Sequence, residues 1–178
     1  MPNYCECFLK IYPGDNSSAD EILSAMANGE RQFDFDKLIP YPEDWRKADD
    51  AHQKWLDGYA TFARGDVVAR VQYEKENPRP DDGYNHGGYE WCVENWGTKW
   101  NAGDVNIIEK EEYTALVSFR TAWRPPLPVM DKLAAMFPDA CFLFEYYENG
   151  MGFCGSIRYE SGKRELEARG EYYGFRGG

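Results

Sequence analysis

The residues able to do chemistry in this chain are few and widely spaced. Cys5 and Cys7 lie two apart, which on a strand puts both thiols on one face. A structural zinc site wants four ligands and commonly a second Cys or His pair. Cys92, Cys141 and Cys154 are scattered and the chain has two histidines, His52 and His86. Thiols packed in a core are therefore the expectation, and no metal or other cofactor is called for. His86 sits in Asn85-His86-Gly87-Gly88 beside Asp81 and Asp82. A loop histidine can act as a general base, but no nucleophile or orienting partner accompanies it. There is no nucleophile elbow, no Walker phosphate loop and no dinucleotide-binding glycine fingerprint. Many carboxylates allow a two-acid mechanism on paper, yet spacing alone pairs none of them.

The densest group of binding-type residues is Trp91-Cys92-Val93-Glu94-Asn95-Trp96-Gly97-Thr98-Lys99-Trp100-Asn101-Ala102. Tryptophan is seldom fully buried and seeks a partner for its indole N–H, so three around one glycine mark a core hub or a binding anchor. Interface hot spots favour Trp, Tyr and Arg. With Arg120, Trp123 and Arg124 further on, the candidate partner-binding set is Trp96, Lys99, Trp100, Arg120, Trp123 and Arg124. The alternative is that the tryptophans cover the open face of a sheet, with Lys99 and Arg120 over their rings as cation–π pairs.

Charge limits what such a surface can meet. The formal net charge is −11, and residues 158–178 carry five basic and four acidic side chains, so the acidity lies in the front of the chain. An acidic surface repels phosphate backbones, which argues against direct nucleic-acid binding. It favours solubility and suits a protein partner with a basic surface. At 178 residues, 43% hydrophobic and 16% aromatic, the chain is long and apolar enough for one core without disulfides. No apolar run reaches the roughly 20 residues a membrane helix needs. The amino terminus lacks the basic-then-apolar pattern of an export signal, and five cysteines is an odd number, so a reducing cytoplasm is expected.

Periodicity predicts the secondary structure that carries these residues. Cys5, Cys7, Leu9 and Ile11 alternate with Glu6 and Lys10, predicting a strand over 4–12 with one buried side. Ser18 and Glu21 have capping-box spacing before Ile22, Leu23 and Met26, predicting a helix over 19–28. Residues 33–38 read as extended. An imperfect helical pattern runs from Trp45 to Glu76, with Val67, Val68 and Val71 continuing its apolar stripe and Gly58 and Gly65 weakening it. A Pro/Gly/Asp-rich loop then runs to Gly88, and the region 40–88 reads as an insertion without a core of its own. A short helix over 90–96 is stopped by Gly97. Strands are predicted at 105–108 and 113–123, then a helix opened by Pro128, and a hairpin of 141–148 with 151–159 about Asn149-Gly150. Residues 163–172 read as a last strand or helix. The sum is a single domain over 1–178 with a helical insertion. It is an α+β, ferredoxin-like two-layer sandwich, its mainly antiparallel sheet backed by helices on one face.

Three patches show that the chain resembles the YubB ferredoxin-like domain family, found largely on plasmids and phages and of unknown function. They are Met1-Pro2-Asn3-Tyr4-Cys5; Asn95-Trp96-Gly97-Thr98-Lys99-Trp100-Asn101; and Phe119-Arg120-Thr121-Ala122-Trp123-Arg124-Pro125-Pro126 with Pro138, Glu148, Gly150 and Gly152-Phe153-Cys154-Gly155. Family members often carry Trp where this chain has Tyr4, and Asp where it has Asn101. The resemblance implies a fold and a mobile-element setting, and it assigns no catalytic residue.

The favoured expectation is a binding protein, in concrete form an acidic inhibitor of a host defence or nucleic-acid-handling protein of the anti-CRISPR or anti-restriction type. Two other classes stay open. One is an enzyme acting on a nucleotide or similar small ligand through carboxylates near the Trp-Gly-Thr-Lys-Trp segment. The other is a sheet-based RNA binder, since Gly152 to Tyr159 partly resembles that module's signature, although Gly155 replaces an aromatic it requires.

Overall fold

A computed structural model describes residues 3–62 and 65–174. Met1 and Pro2 of the amino-terminal patch, and Ala63 and Arg64 within the expected long helix, lie outside them. The chain forms two compact units, one of residues 1–40 with 92–178 and one of Tyr41–Trp91.

The larger unit is built on six antiparallel strands: β1 (Tyr4–Tyr12), β2 (Gly103–Glu111), β3 (Thr114–Ala122), β4 (Cys141–Glu148), β5 (Phe153–Glu160) and β6 (Lys163–Glu171). Their order is β2-β3-β1-β4-β5-β6. β1 therefore lies at the centre, paired with β3 (Cys7 opposite Phe119) and with β4 (Cys7 opposite Tyr146). Placing β3 between β1 and β2, and β1 between β3 and β4, is the split βαβ arrangement of ferredoxin-like folds, here extended by the β5–β6 hairpin. Helices α1 (Ala19–Met26), α2 (Phe35–Leu38) and α6 (Leu127–Met136) supply the second layer.

The strand alternation decides which face they cover. Cys5, Cys7, Leu9 and Ile11 are buried with Val117, Phe119, Phe142, Phe144 and Ile157, against Ile22, Met26, Met130 and Leu133. Phe33 meets Phe35 and Phe119 edge to face, each with ring centres 5.0 Å apart. Burial pushes the Cys7 thiol well up and its Sγ approaches the Cys5 carbonyl, and both thiols are packed in the core. α1 begins at the expected capping box: Glu21 N donates to Ser18 Oγ (3.2 Å) and Ser18 N to Glu21 Oε2 (2.8 Å).

Two local expectations for this unit need correction. Residues 33–38 are not extended throughout, because the Asp34 side chain accepts from Asp36 N (3.2 Å) and starts α2. The hairpin is not a two-residue turn at Asn149-Gly150. The buried Glu148 carboxylate accepts from the backbone N–H of Gly150 (2.9 Å) and Met151, and Gly152 takes φ +73, so β5 starts at Phe153. The last segment is a strand, β6.

The unit Tyr41–Trp91 contains α3 (Glu43–Phe62), α4 (Val67–Glu76) and a 3₁₀ turn (Tyr84–His86), and α5 (Gly88–Asn95) starts within it. The expected run from Trp45 to Glu76 is thus two helices. Gly65 at φ +87 and the Asp66 cap, accepting from Val68 N (2.8 Å), separate them. Gly58 lets them meet, since a Cβ there would lie 2.2 Å from the Tyr73 hydroxyl. Trp55 stacks on Tyr59 (5.2 Å) and contacts Tyr73 (5.8 Å), giving this unit an aromatic cluster of its own. Val67, Val68 and Val71 do not join it; they are 70%, 75% and 61% exposed. His86 is an exposed turn residue whose ring Nδ1 lies 2.8 Å from the Asp82 carbonyl.

Candidate interaction surface

The Trp96–Trp100 bend is fixed to the end of β3 by two features. Gly97 has φ +82, and a Cβ on it would lie 2.9 Å from Pro128 Cδ and 3.1 Å from the Pro125 carbonyl. Only glycine permits both the left-handed backbone and this approach. Thr98, 1% exposed, donates its hydroxyl to the Ala122 carbonyl at 2.8 Å. A third set of bonds holds the far end of the bend. Asn101 Nδ2 donates to Asp34 Oδ1, while Asn101 Oδ1 accepts from Phe35 N (2.9 Å) and Ala102 N (2.8 Å). An aspartate at 101 would give Asp34 no donor, so the amide is what this network uses.

These anchors divide the candidate residues. Trp96 is in the core at 6% exposure, edge to face with Phe35, its indole donating to the Ile39 carbonyl at 2.9 Å. It lies on the helix-covered side of the sheet and neither covers the open face nor belongs to an outer surface. Lys99, Trp100 and Trp123 come together. The Lys99 ammonium stands 3.9 Å from the Trp100 ring centre and 3.8 Å from that of Trp123. The two indoles are 42% and 40% exposed. Trp123 has φ +70, an outlying conformation for a bulky residue that costs on the order of 1–3 kcal/mol and tends to mark clamps and switches. Its N–H donates to the Asn3 carbonyl at 2.9 Å, which fixes the backbone that carries the ring.

Arg120 does not lie over an indole. It donates to Glu6 (2.7 Å) and Asp104 (3.1 Å), and the Glu6 carboxylate pushes its already high pKa further up. Arg124 is exposed in the turn after β3, where its carbonyl accepts from the Thr121 hydroxyl at 2.8 Å.

Sequence reasoning missed a second surface. On the uncovered face of the sheet Phe8, Tyr147 and Tyr172 form a row of near-parallel rings, with centres 6.2 Å and then 4.7 Å apart. They border a shallow groove of about 730 Å³ that is also lined by Cys154, Ser156, Ala168 and Gly170 and by the charged Glu145 and Arg169. Phe8 lies between the outward residues Glu6 and Lys10, so strand alternation is a signal for it. Tyr172 carries none, because its place depends on how β6 closes the hairpin. Phe153 is not in this row; its ring contacts Tyr146. Among the described residues, no group of three or more His, Cys, Asp or Glu side chains could hold a metal ion, and no helix is long and apolar enough to cross a membrane.

The sequence of residues 95–174 matches the family described as the ferredoxin-like domain in Api92-like protein. This stretch is similar to that family. It contains the Asn95–Asn101 and Phe119–Gly155 patches, whereas the Met1–Cys5 patch precedes it. The chain is 35% identical over 92 residues to the protein YubB of Escherichia coli (strain K12), described as uncharacterised. The matched stretch takes in 46% of this chain and 62% of YubB, so the chain spans about three-fifths of that relative's length. The crystal structure of a protein api92 from Yersinia pseudotuberculosis shares the fold, with a TM-score of 0.52 at 13% identity over 98% of this chain and 99% of the other.

Proposed function

We propose that the protein works by binding a macromolecular partner with a basic surface, as an inhibitor of a host defence or nucleic-acid-handling protein encoded by a mobile element and acting in the cytoplasm. The observation that carries this reading is the pairing of a −11 chain with a half-exposed Trp100–Lys99–Trp123 cluster held on anchored loops. The acidic surface would steer association, and the aromatic cluster would supply contact area at low cost in ordering. The family resemblance supports the mobile-element setting.

The test is affinity capture from a bacterial host lysate at low and high salt, with wild type beside the Trp100→Ala/Trp123→Ala double variant. A partner held by wild type, released by salt and weakly held by the variant is the expected result. No salt-sensitive partner, or equal capture by the variant, would refute it.

A second reading is favoured by the Phe8–Tyr147–Tyr172 row: the groove stacks a planar ring such as a nucleobase. Thermal-shift screening with nucleotides separates the two. A ligand at 100 times its Kd stabilises by about 2.7 kcal/mol, and a flat screen removes the reading.

A further inference from the structure

We infer that Trp100 and Trp123 form a two-walled clamp for the alkylammonium head of a lysine side chain on a basic partner, and that Lys99 is its resident, exchangeable occupant. This rests on the reading of a basic partner and adds the chemistry of recognition.

A cation within about 6 Å of an indole face is attracted by the ring quadrupole, and paired aromatic walls are a recurrent way of holding ammonium groups. Here one ammonium lies within 4 Å of two rings, 3.9 and 3.8 Å from their centres. Were the rings a mere cover for the sheet, they would be expected to lie flat and buried. Both are instead about two-fifths exposed. Nor does Lys99 hold the backbone of either wall. Trp100 is carried by a bend bolted through Gly97, Thr98 and Asn101. Trp123 is carried by a left-handed backbone held by Asn3. The backbone carrying both walls is therefore held independently of the lysine, whose flexible four-carbon stem suits it to such exchange. The chain's net charge of −11 favours an incoming cation over an anion.

A tethered occupant lowers the apparent affinity for an outside cation in proportion to the fraction of time it fills the clamp. Removing it should thus expose the site. The probe is tetramethylammonium chloride, titrated against matched sodium chloride and followed by the indole N–H NMR signals of the six tryptophans. Lys99→Ser and Lys99→Gln should each show saturable shifts in two indole signals, those of Trp100 and Trp123. Wild type should bind about tenfold more weakly, and Lys99→Ser/Trp123→Ala should not bind. A lysine-rich peptide should compete with the probe. An unshifted Trp96 signal verifies that each variant keeps its core. Three results would overturn the inference: no saturable shift in either Lys99 variant, equal affinity in wild type, or binding that survives loss of Trp123. Because the probe is a small cation, the clamp can fail here while lysate capture succeeds, and the reverse.

Discussion

Trp96 and Trp100 are separated by three residues, yet one indole lies in the core against Phe35 and the other stands half exposed over a lysine. Residue type does not separate them. The difference arises from Gly97 and Thr98, which tie the bend to Pro125, Pro128 and Ala122. Trp96, on the amino-terminal side of that tie, is drawn under the helices, and Trp100, on its far side, is turned outward. An aromatic cluster in a sequence can therefore be half scaffold and half surface, and the backbone anchor between the halves decides which is which.

Substitutions on either side should sharpen the contrast. Trp96→Ala opens a large core cavity and leaves the Ile39 carbonyl without its donor, so a loss of about 3–5 kcal/mol is expected in a urea melt. Gly97→Ala places a Cβ against Pro128 in a left-handed backbone and should cost at least about 1–2 kcal/mol by the same measurement. Thr98→Val keeps shape but removes the hydroxyl's bond to the Ala122 carbonyl, which retains only the Arg124 N–H at 2.9 Å, with a cost of about 1 kcal/mol and a change in the Trp100 indole signal as the bend loosens. Trp100→Ala removes one wall of an exposed cation–π pair and should lower stability by less than about 1 kcal/mol while weakening partner capture. If Trp100→Ala destabilises as strongly as Trp96→Ala, the division of the bend into scaffold and surface is wrong.

Much of the sheet was readable from local pattern. The period-two runs of β1, β3 and β4 and the Ser18–Glu21 capping box each depend on residues a few places apart. The errors share one cause. Asp34 starting α2, Glu148 folding the β4–β5 loop and Asp66 starting α4 are side-chain oxygens that capture backbone N–H groups, and apolar periodicity does not register them. Of the six candidate residues, Lys99, Trp100 and Trp123 were grouped by composition and do come together. The sequence could not show that Arg120 faces two acids, Glu6 and Asp104, because these approach from β1 and β2, strands 114 and 16 residues away in the chain. Asn101 and Asp34 were overlooked as a pair for the same reason.

The central place of β1 has a consequence for biogenesis. Its two neighbours end at residues 122 and 148, so on the ribosome this strand emerges long before either can zip to it. Through that interval Cys5 and Cys7, sealed at 0% and 1% exposure in the finished fold, stand open to any thiol reagent. Their loss of reactivity would time the closing of the sheet, and an electrophile or a chaperone meeting the nascent chain would find this segment unpaired.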